Sequence, residues 1–166
     1  MFEPADGLFG TFVTEKWLVD ELSSLHHTVI SAPTFSRIGE TEGSFSRVCL
    51  MECKNSGALP QKMIVKVTCN PPMSSLDSEF WYRSLRVLRM NKSVKTHLQY
   101  HNTETLFYQH AQNIPGVPRT FLCRPLADDD RDVICMEYME GCRTLPVYEN
   151  ISIEQMKSVG LSFCCF

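Results

Sequence analysis

The run Met63-Ile-Val-Lys-Val-Thr-Cys69 limits this chain more than any other stretch. Its β-branched residues and period-2 alternation predict a strand, with Met63, Val65, Val67 and Cys69 on one face and Ile64, Lys66 and Thr68 on the other. Lys66 thus stands in the middle of a sheet. An ammonium there is costly unless it reaches water or a carboxylate. The fold must therefore bring an acid to this strand or leave that face open.

The segments around this strand supply the rest of a sheet. Thr28 to Ile38 is β-rich and broken by Pro33, Gly39-Glu-Thr-Glu-Gly43 is turn chemistry, and Phe45–Cys53 is a second β-rich run. Asn55-Ser-Gly57 and Pro60 make the next turn, so strand, loop, strand, turn, strand reads as an antiparallel meander. Upstream, residues 14–25 predict a helix capped by Thr14, with Leu18, Leu22 and Leu25 on one stripe. Pro71-Pro72 ends the meander. Residues 76–90 read as helix, with Trp81, Leu85 and Leu88 on its stripe, and a further helix covers roughly 98–112. Ile114-Pro-Gly-Val-Pro118 stops that helix. Arg119–Leu126 and Asp132–Tyr138 read as two more strands, joined by an acidic turn at 128–130 in which Asp132 is also read as solvated. Residues 152–163 read as a short last helix. The fold class is α+β, with about five antiparallel strands, a helix between the third and fourth, and an N-terminal helix.

The carboxylate that Lys66 requires comes from the 98–112 helix. Its stripe is Tyr100, Phe107, Tyr108 and Ala111, and Glu104 falls within it. The same residues admit a plainer arrangement, in which Lys66 and Glu104 both run to water at the stripe's edge. The Gly39–Gly43 loop can cradle phosphate with its backbone amides, because glycine leaves no Cβ in the way. By itself it also reads as an ordinary hairpin, and Glu40 and Glu42 repel an anion unless they point away.

Composition removes several function classes. The 166 residues carry 16 basic and 19 acidic side chains, a formal charge of −3, which gives no field for nucleic acid or an anionic membrane. Arg83, Arg86, Arg89, Lys92 and Lys95 drift around their helix and read as a solvated face. No apolar stretch is long enough to span a bilayer, and Met-Phe-Glu-Pro-Ala-Asp lacks the features of a secretory signal. The chain is read as cytoplasmic. Its 8 cysteines are then reduced, mostly small hydrophobes in strands. Cys49-x3-Cys53 and His97-x3-His101 are isolated, so no metal site is read.

Taken in order, Gly43-Ser-Phe-Ser-Arg-Val, Ile64-Val-Lys-Val-Thr, His101-Asn-Thr-Glu-Thr-Leu-Phe-Tyr and Ile134-Cys-Met-Glu-Tyr-Met-Glu-Gly resemble the N-terminal lobe of protein-kinase-like phosphotransferases. Within that superfamily the chain is most similar to the nematode CHK kinase-like proteins, relatives of choline, ethanolamine, aminoglycoside and ecdysteroid kinases. The resemblance covers residues ~30–150 and implies an N-terminal helical extension (1–27), a kinase-like lobe (28–139) and a hinge exit with the start of a second lobe (140–166). It also implies an ATP site. Gly39, Gly43, Ser44, Phe45 and Ser46 would cover the phosphates, and Lys66 would pair with the α- and β-phosphates and with Glu104. Met136 would back the adenine, and the backbone of Glu137 and Met139 would bond its edge.

The transfer machinery of the resembled family is a His-x-Asp-x4-Asn loop and a later Asp, both in the second lobe. Here none of the five histidines is followed by x-Asp, and few residues follow Met139. The expectation is a truncated kinase-like protein, inactive alone, with part of an ATP site and no Mg²⁺ ligands. A lobe without its partner lobe also exposes apolar surface, including Ile64, Met136, Tyr138 and the ending Leu161-Ser-Phe-Cys-Cys-Phe166. That surface implies weak stability, self-association, or a partner in place of the missing lobe. The alternative function is a non-catalytic interaction module using this face.

Overall fold

The computed structural model describes residues 5–38, 46–68, 93–125, 131–141 and 152–154. The expected helix at 76–90, the acidic turn at 128–130 and nearly all of the expected helix at 152–163 lie outside these residues, as do the basic cluster from Arg83 to Lys92 and the ending 161–166. A single 3₁₀ turn at Leu8–Gly10 precedes α1 (Glu15–Leu25). Then follow β1 (Thr34–Ile38), β2 (Ser46–Glu52), β3 (Lys62–Thr68), α2 (Ser93–His110), β4 (Thr120–Arg124) and β5 (Val133–Glu137). The five strands form one sheet in the order β1-β2-β3-β5-β4, with every described pairing antiparallel. The expected α+β architecture, with a helix between the third and fourth strands, is the one found.

Alternation along β3 divides the sheet into two faces. Met63, Val65 and Val67 are buried, while Ile64, Lys66 and Thr68 are half-buried. Register carries the division across the sheet: Cys49 and Cys135 flank Val65 on one face, and Val48 and Ile134 flank Lys66 on the other. The first face meets α1. Thr14 caps that helix by accepting the Trp17 N–H at 3.2 Å. Leu18 and Leu22, both fully buried, join Cys49, Met51, Met63, Val65, Val133 and Cys135 in the main core. Polar contacts fix the helix at its margin. Arg124 pairs with Glu21 (3.2 Å) and, with Arg131, stacks over the Trp17 ring. The His26 ring bonds the Phe121 carbonyl through Nε2 at 2.7 Å.

Helix α2 lies on the opposite face, over the β3–β5–β4 end, where Glu104 reaches Lys66 and the Cys123 thiol reaches the Thr105 carbonyl. Strand β5 is thus covered on both sides, which is why Val133, Ile134, Cys135 and Met136 are all buried in succession. Toward β1 the α2 face opens, and Val48, Leu50 and Ile64 are half-buried with Ile38 exposed. The β2–β3 turn depends on Gly57. Its φ of +59° and the Thr28 hydroxyl, which would lie 1.8 Å from an added Cβ, admit no side chain.

The core assignment gives a direct test. Leu22→Ala should lower unfolding free energy by about 3 kcal/mol in urea denaturation, whereas Val29→Ala, at a site 76% exposed, should stay within about 0.5 kcal/mol. Comparable losses from the two would mean that α1 is not part of the core.

Candidate functional site

The site begins with the ammonium on β3. Its neighbours across the sheet are Val48 and Ile134, neither able to neutralise it. Glu104, 38 residues later on α2, does so with both oxygens: Lys66 Nζ donates to Oε1 at 2.7 Å and to Oε2 at 2.6 Å. The side chains keep 26% and 31% of their surface exposed, so the pair is neither sealed in the core nor splayed to solvent. Across the sheet, Lys66 stands opposite the half-buried Val48. This is the geometry of a cation held in place yet reachable by an anion.

The face that α2 presents is more polar than its hydropathy stripe suggests. His101, Thr105 and Ala111 are buried and Glu104 and Tyr108 half-buried, while Phe107, expected on the stripe, is 44% exposed. The cause lies on the sheet, where Lys66, Thr68 and the Arg124 carbonyl all face the helix. Hydrogen-bonding residues satisfy them and an apolar face could not. His101 is the centre of this contact. Its Nδ1 meets Thr68 Oγ1 at 3.0 Å, and its Nε2 meets the Arg124 carbonyl at 3.2 Å and Thr105 Oγ1 at 3.3 Å. Burial, then the nearby Glu104 carboxylate, push the Tyr108 phenol up.

Asp132 overturns its expected place in a solvated turn. It is 2% exposed, because the approach to β5 lays it beside the end of β3. There Asp132 Oδ2 accepts the Thr68 N–H at 3.0 Å and stands 3.6 Å from His101 Nε2. Burial is the largest influence on the carboxyl and holds it above the usual range, against the lowering effects of Thr68 and His101.

The other site residues separate clearly. Gly39, Gly43, Ser44 and Phe45 lie outside the described residues. Ser46 opens β2, half-buried and opposite Thr68. Met136 is buried between Ile64 and Thr120 in register. Glu137 follows it at the end of β5, its N–H bonded to the Arg119 carbonyl at 2.8 Å. Met139 is exposed beyond the strand. Register adds Val48, Leu50 and Ile134, which share the face of Lys66 and Ile64. Alternation in Phe45–Cys53 was the available signal for the first two. Among the described residues no group of three or more His, Cys, Asp or Glu side chains is arranged to hold a metal ion. Among the described residues the thiols are not poised as nucleophiles: burial pushes Cys49 up to about 12 and Cys123 up to about 11.

The geometry yields two tests. Because the Lys66–Glu104 pair is partly solvated, Glu104→Ala should cost about 1–2 kcal/mol in urea unfolding, below the ~3–5 kcal/mol of a fully buried pair. A loss in the higher range would mean that the pair is sealed from water in solution. For Asp132, a carboxyl whose pKa is higher folded than unfolded binds more protons when folded. Its contribution favours the fold at low pH and is lost as pH rises through the raised pKa. The Tm of Asp132→Asn relative to the native chain should therefore increase between pH 4 and pH 7; a decrease would reverse the sign of the shift.

No curated protein and no solved structure matches this chain. The model of the DUF1679 family, described as "Uncharacterized oxidoreductase dhs-27", matches residues 1–162. With nearly its whole length matched, the chain belongs to that family.

Proposed function

We propose that this chain carries the nucleotide-positioning half of a kinase-like site of the small-molecule phosphotransferase type, akin to the CHK kinase-like proteins. The bidentate pair between Lys66 and Glu104 carries the reading. A strand lysine oriented by a helix carboxylate presents a fixed positive charge at the border of an apolar sheet face, and ATP offers both a polyphosphate and a flat apolar base. Val48, Ile64 and Met136 supply the floor and back of a base site. Lys66 holds the α- and β-phosphates, and the loop from Gly39 to Ser46 covers them. The carbonyl of Glu137 and the N–H of Met139 take the base edge.

These residues bind and orient; they do not transfer. Transfer needs a carboxylate at the acceptor hydroxyl and others on Mg²⁺, and the 166 residues contain no His-x-Asp loop. On this reading the chain alone is inactive as a kinase. The word oxidoreductase in the family's description finds no matching fingerprint: the sequence has no Gly-x-Gly-x-x-Gly, and all described strand pairings are antiparallel rather than the parallel βαβ that displays that motif. The open row of Ile38, Val48, Leu50 and Ile64 favours one second reading, a non-catalytic interaction surface. It would register as a dimer or heteromer in light scattering, and a clean monomer would count against it.

Thermal unfolding with Mg-ATP tests the main reading. At a hundredfold excess over Kd, ligand stabilisation is about 2.7 kcal/mol, a rise in Tm of roughly 5–10 °C for a chain of this size. Lys66→Met should abolish the rise. No rise in the native chain at millimolar Mg-ATP, or an equal rise in the variant, would defeat the assignment.

A further inference from the structure

The Lys66–Glu104 pair needs α2 at one height and one rotation, and the structure holds a second contact suited to setting both. Lys66 and Thr68 are two residues apart on one face of β3, a separation of roughly 6.6 Å. Glu104 and His101 are one turn apart on α2, roughly 4.5 Å. Each strand residue meets its helix partner, Lys66 with Glu104 and Thr68 with His101. Two such rungs fix the helix against sliding and rolling. At its far end α2 is tied to β4, where the Gln112 side chain bonds the Thr120 hydroxyl. His101 is the corresponding tie nearer the ion pair, since its Nε2 also reaches the Arg124 carbonyl of β4.

The chemistry of the partners explains why an imidazole stands there. A carbonyl only accepts, so Nε2 carries a proton toward Arg124. The Thr68 hydroxyl can donate or accept, and it serves Nδ1 in either form of the ring. Thr105 donates its hydroxyl to the His101 carbonyl at 2.9 Å and so leaves its lone pairs toward Nε2. The ring is almost wholly buried, which makes an apolar substitute expensive: it would remove the ring's bonds to the Arg124 carbonyl and the Thr68 hydroxyl.

We propose that His101 is a positioning residue that keeps the Glu104 carboxylate on the Lys66 ammonium by fixing α2 to β3 and β4. This deepens, and rests on, the reading of Lys66 as a phosphate-binding group. It also assigns the Thr68–His101–Asp132 cluster to orienting that group rather than to chemistry of its own.

The test reads Lys66 directly. Lysines are reductively ¹³C-methylated in the full chain, and the Lys66 resonance is assigned by its loss in Lys66→Arg. Glu104→Gln gives the position of an unpaired Lys66. His101→Leu, shown folded by circular dichroism, should move the resonance to that position, while His101→Gln, which can donate and accept, should leave it near the native one. An unmoved resonance in folded His101→Leu overturns the proposal, and so does equal movement in the Gln variant. Where His101→Leu does not fold, Thr68→Val, which removes one hydroxyl, should produce the same shift; no shift overturns the proposal. Mg-ATP titration separates the two readings. Affinity lost equally in His101→Leu and Glu104→Gln, with no further loss on combining them, supports positioning. A native chain that binds no Mg-ATP ends the phosphate reading, and the Lys66 resonance still decides the role of His101.

Discussion

An ammonium placed midway along a strand forces a choice on everything around it. Had β3 lain in a sheet covered on both faces by apolar elements, Lys66 would have lost its hydration with nothing in return, at a penalty beyond any plausible packing gain. The fold avoids this by covering the Lys66 face with a helix that carries a carboxylate at the matching position and by leaving the β1–β2 side of that face open. The position of α2, its polar character and the half-exposure of Val48, Leu50 and Ile64 all follow from that one charge.

The two faces of the sheet accordingly use different physics. Against α1, contact is by close packing of Leu18, Leu22, Met51, Met63 and Val65. Against α2, contact is by directional bonds, of Lys66 with Glu104, of Thr68 and the Arg124 carbonyl with His101, and of Cys123 with the Thr105 carbonyl. Apolar packing tolerates small rotations of a helix. A set of hydrogen bonds with buried partners does not, because each misaligned donor loses its bond without regaining water. The helix bearing the candidate site residue is therefore the one whose placement is most sharply specified.

This difference also decides how much could be read from the sequence. Among the described residues, element types and strand order along the chain were legible, because period-2 alternation in β2 and β3, the Thr14 cap and the Pro/Gly stop after α2 are local signals. The Lys66–Glu104 pair was legible because a charge in the middle of a strand demands a partner and the neighbouring helix offered one acid. Hydropathy misplaced the inner face of α2, taking Phe107 as buried and passing over His101 and Thr105. It assumes that a sheet presents an apolar surface, and this one does not. Asp132 was misread for a related reason. An acid beside an acidic turn looks solvated until the pairing of β3 with β5 brings the Thr68 N–H to it, and that pairing is a long-range fact.

The separation between binding and chemistry follows from the same inventory of groups. Rate acceleration requires interactions stronger in the transition state than in the ground state. A lysine on the α- and β-phosphates and an apolar floor for a base act on the ground state and the transition state nearly alike. The in-line acceptor, its proton and the charge developing on the transferred group need a carboxylate and a metal site of their own. In the described residues the acids of the α2–sheet interface are already engaged, Glu104 with Lys66 and Asp132 with Thr68. Freeing either one for catalysis would loosen the helix that orients the ammonium. On the proposed reading, the interface orients a nucleotide rather than sparing a carboxylate for catalysis.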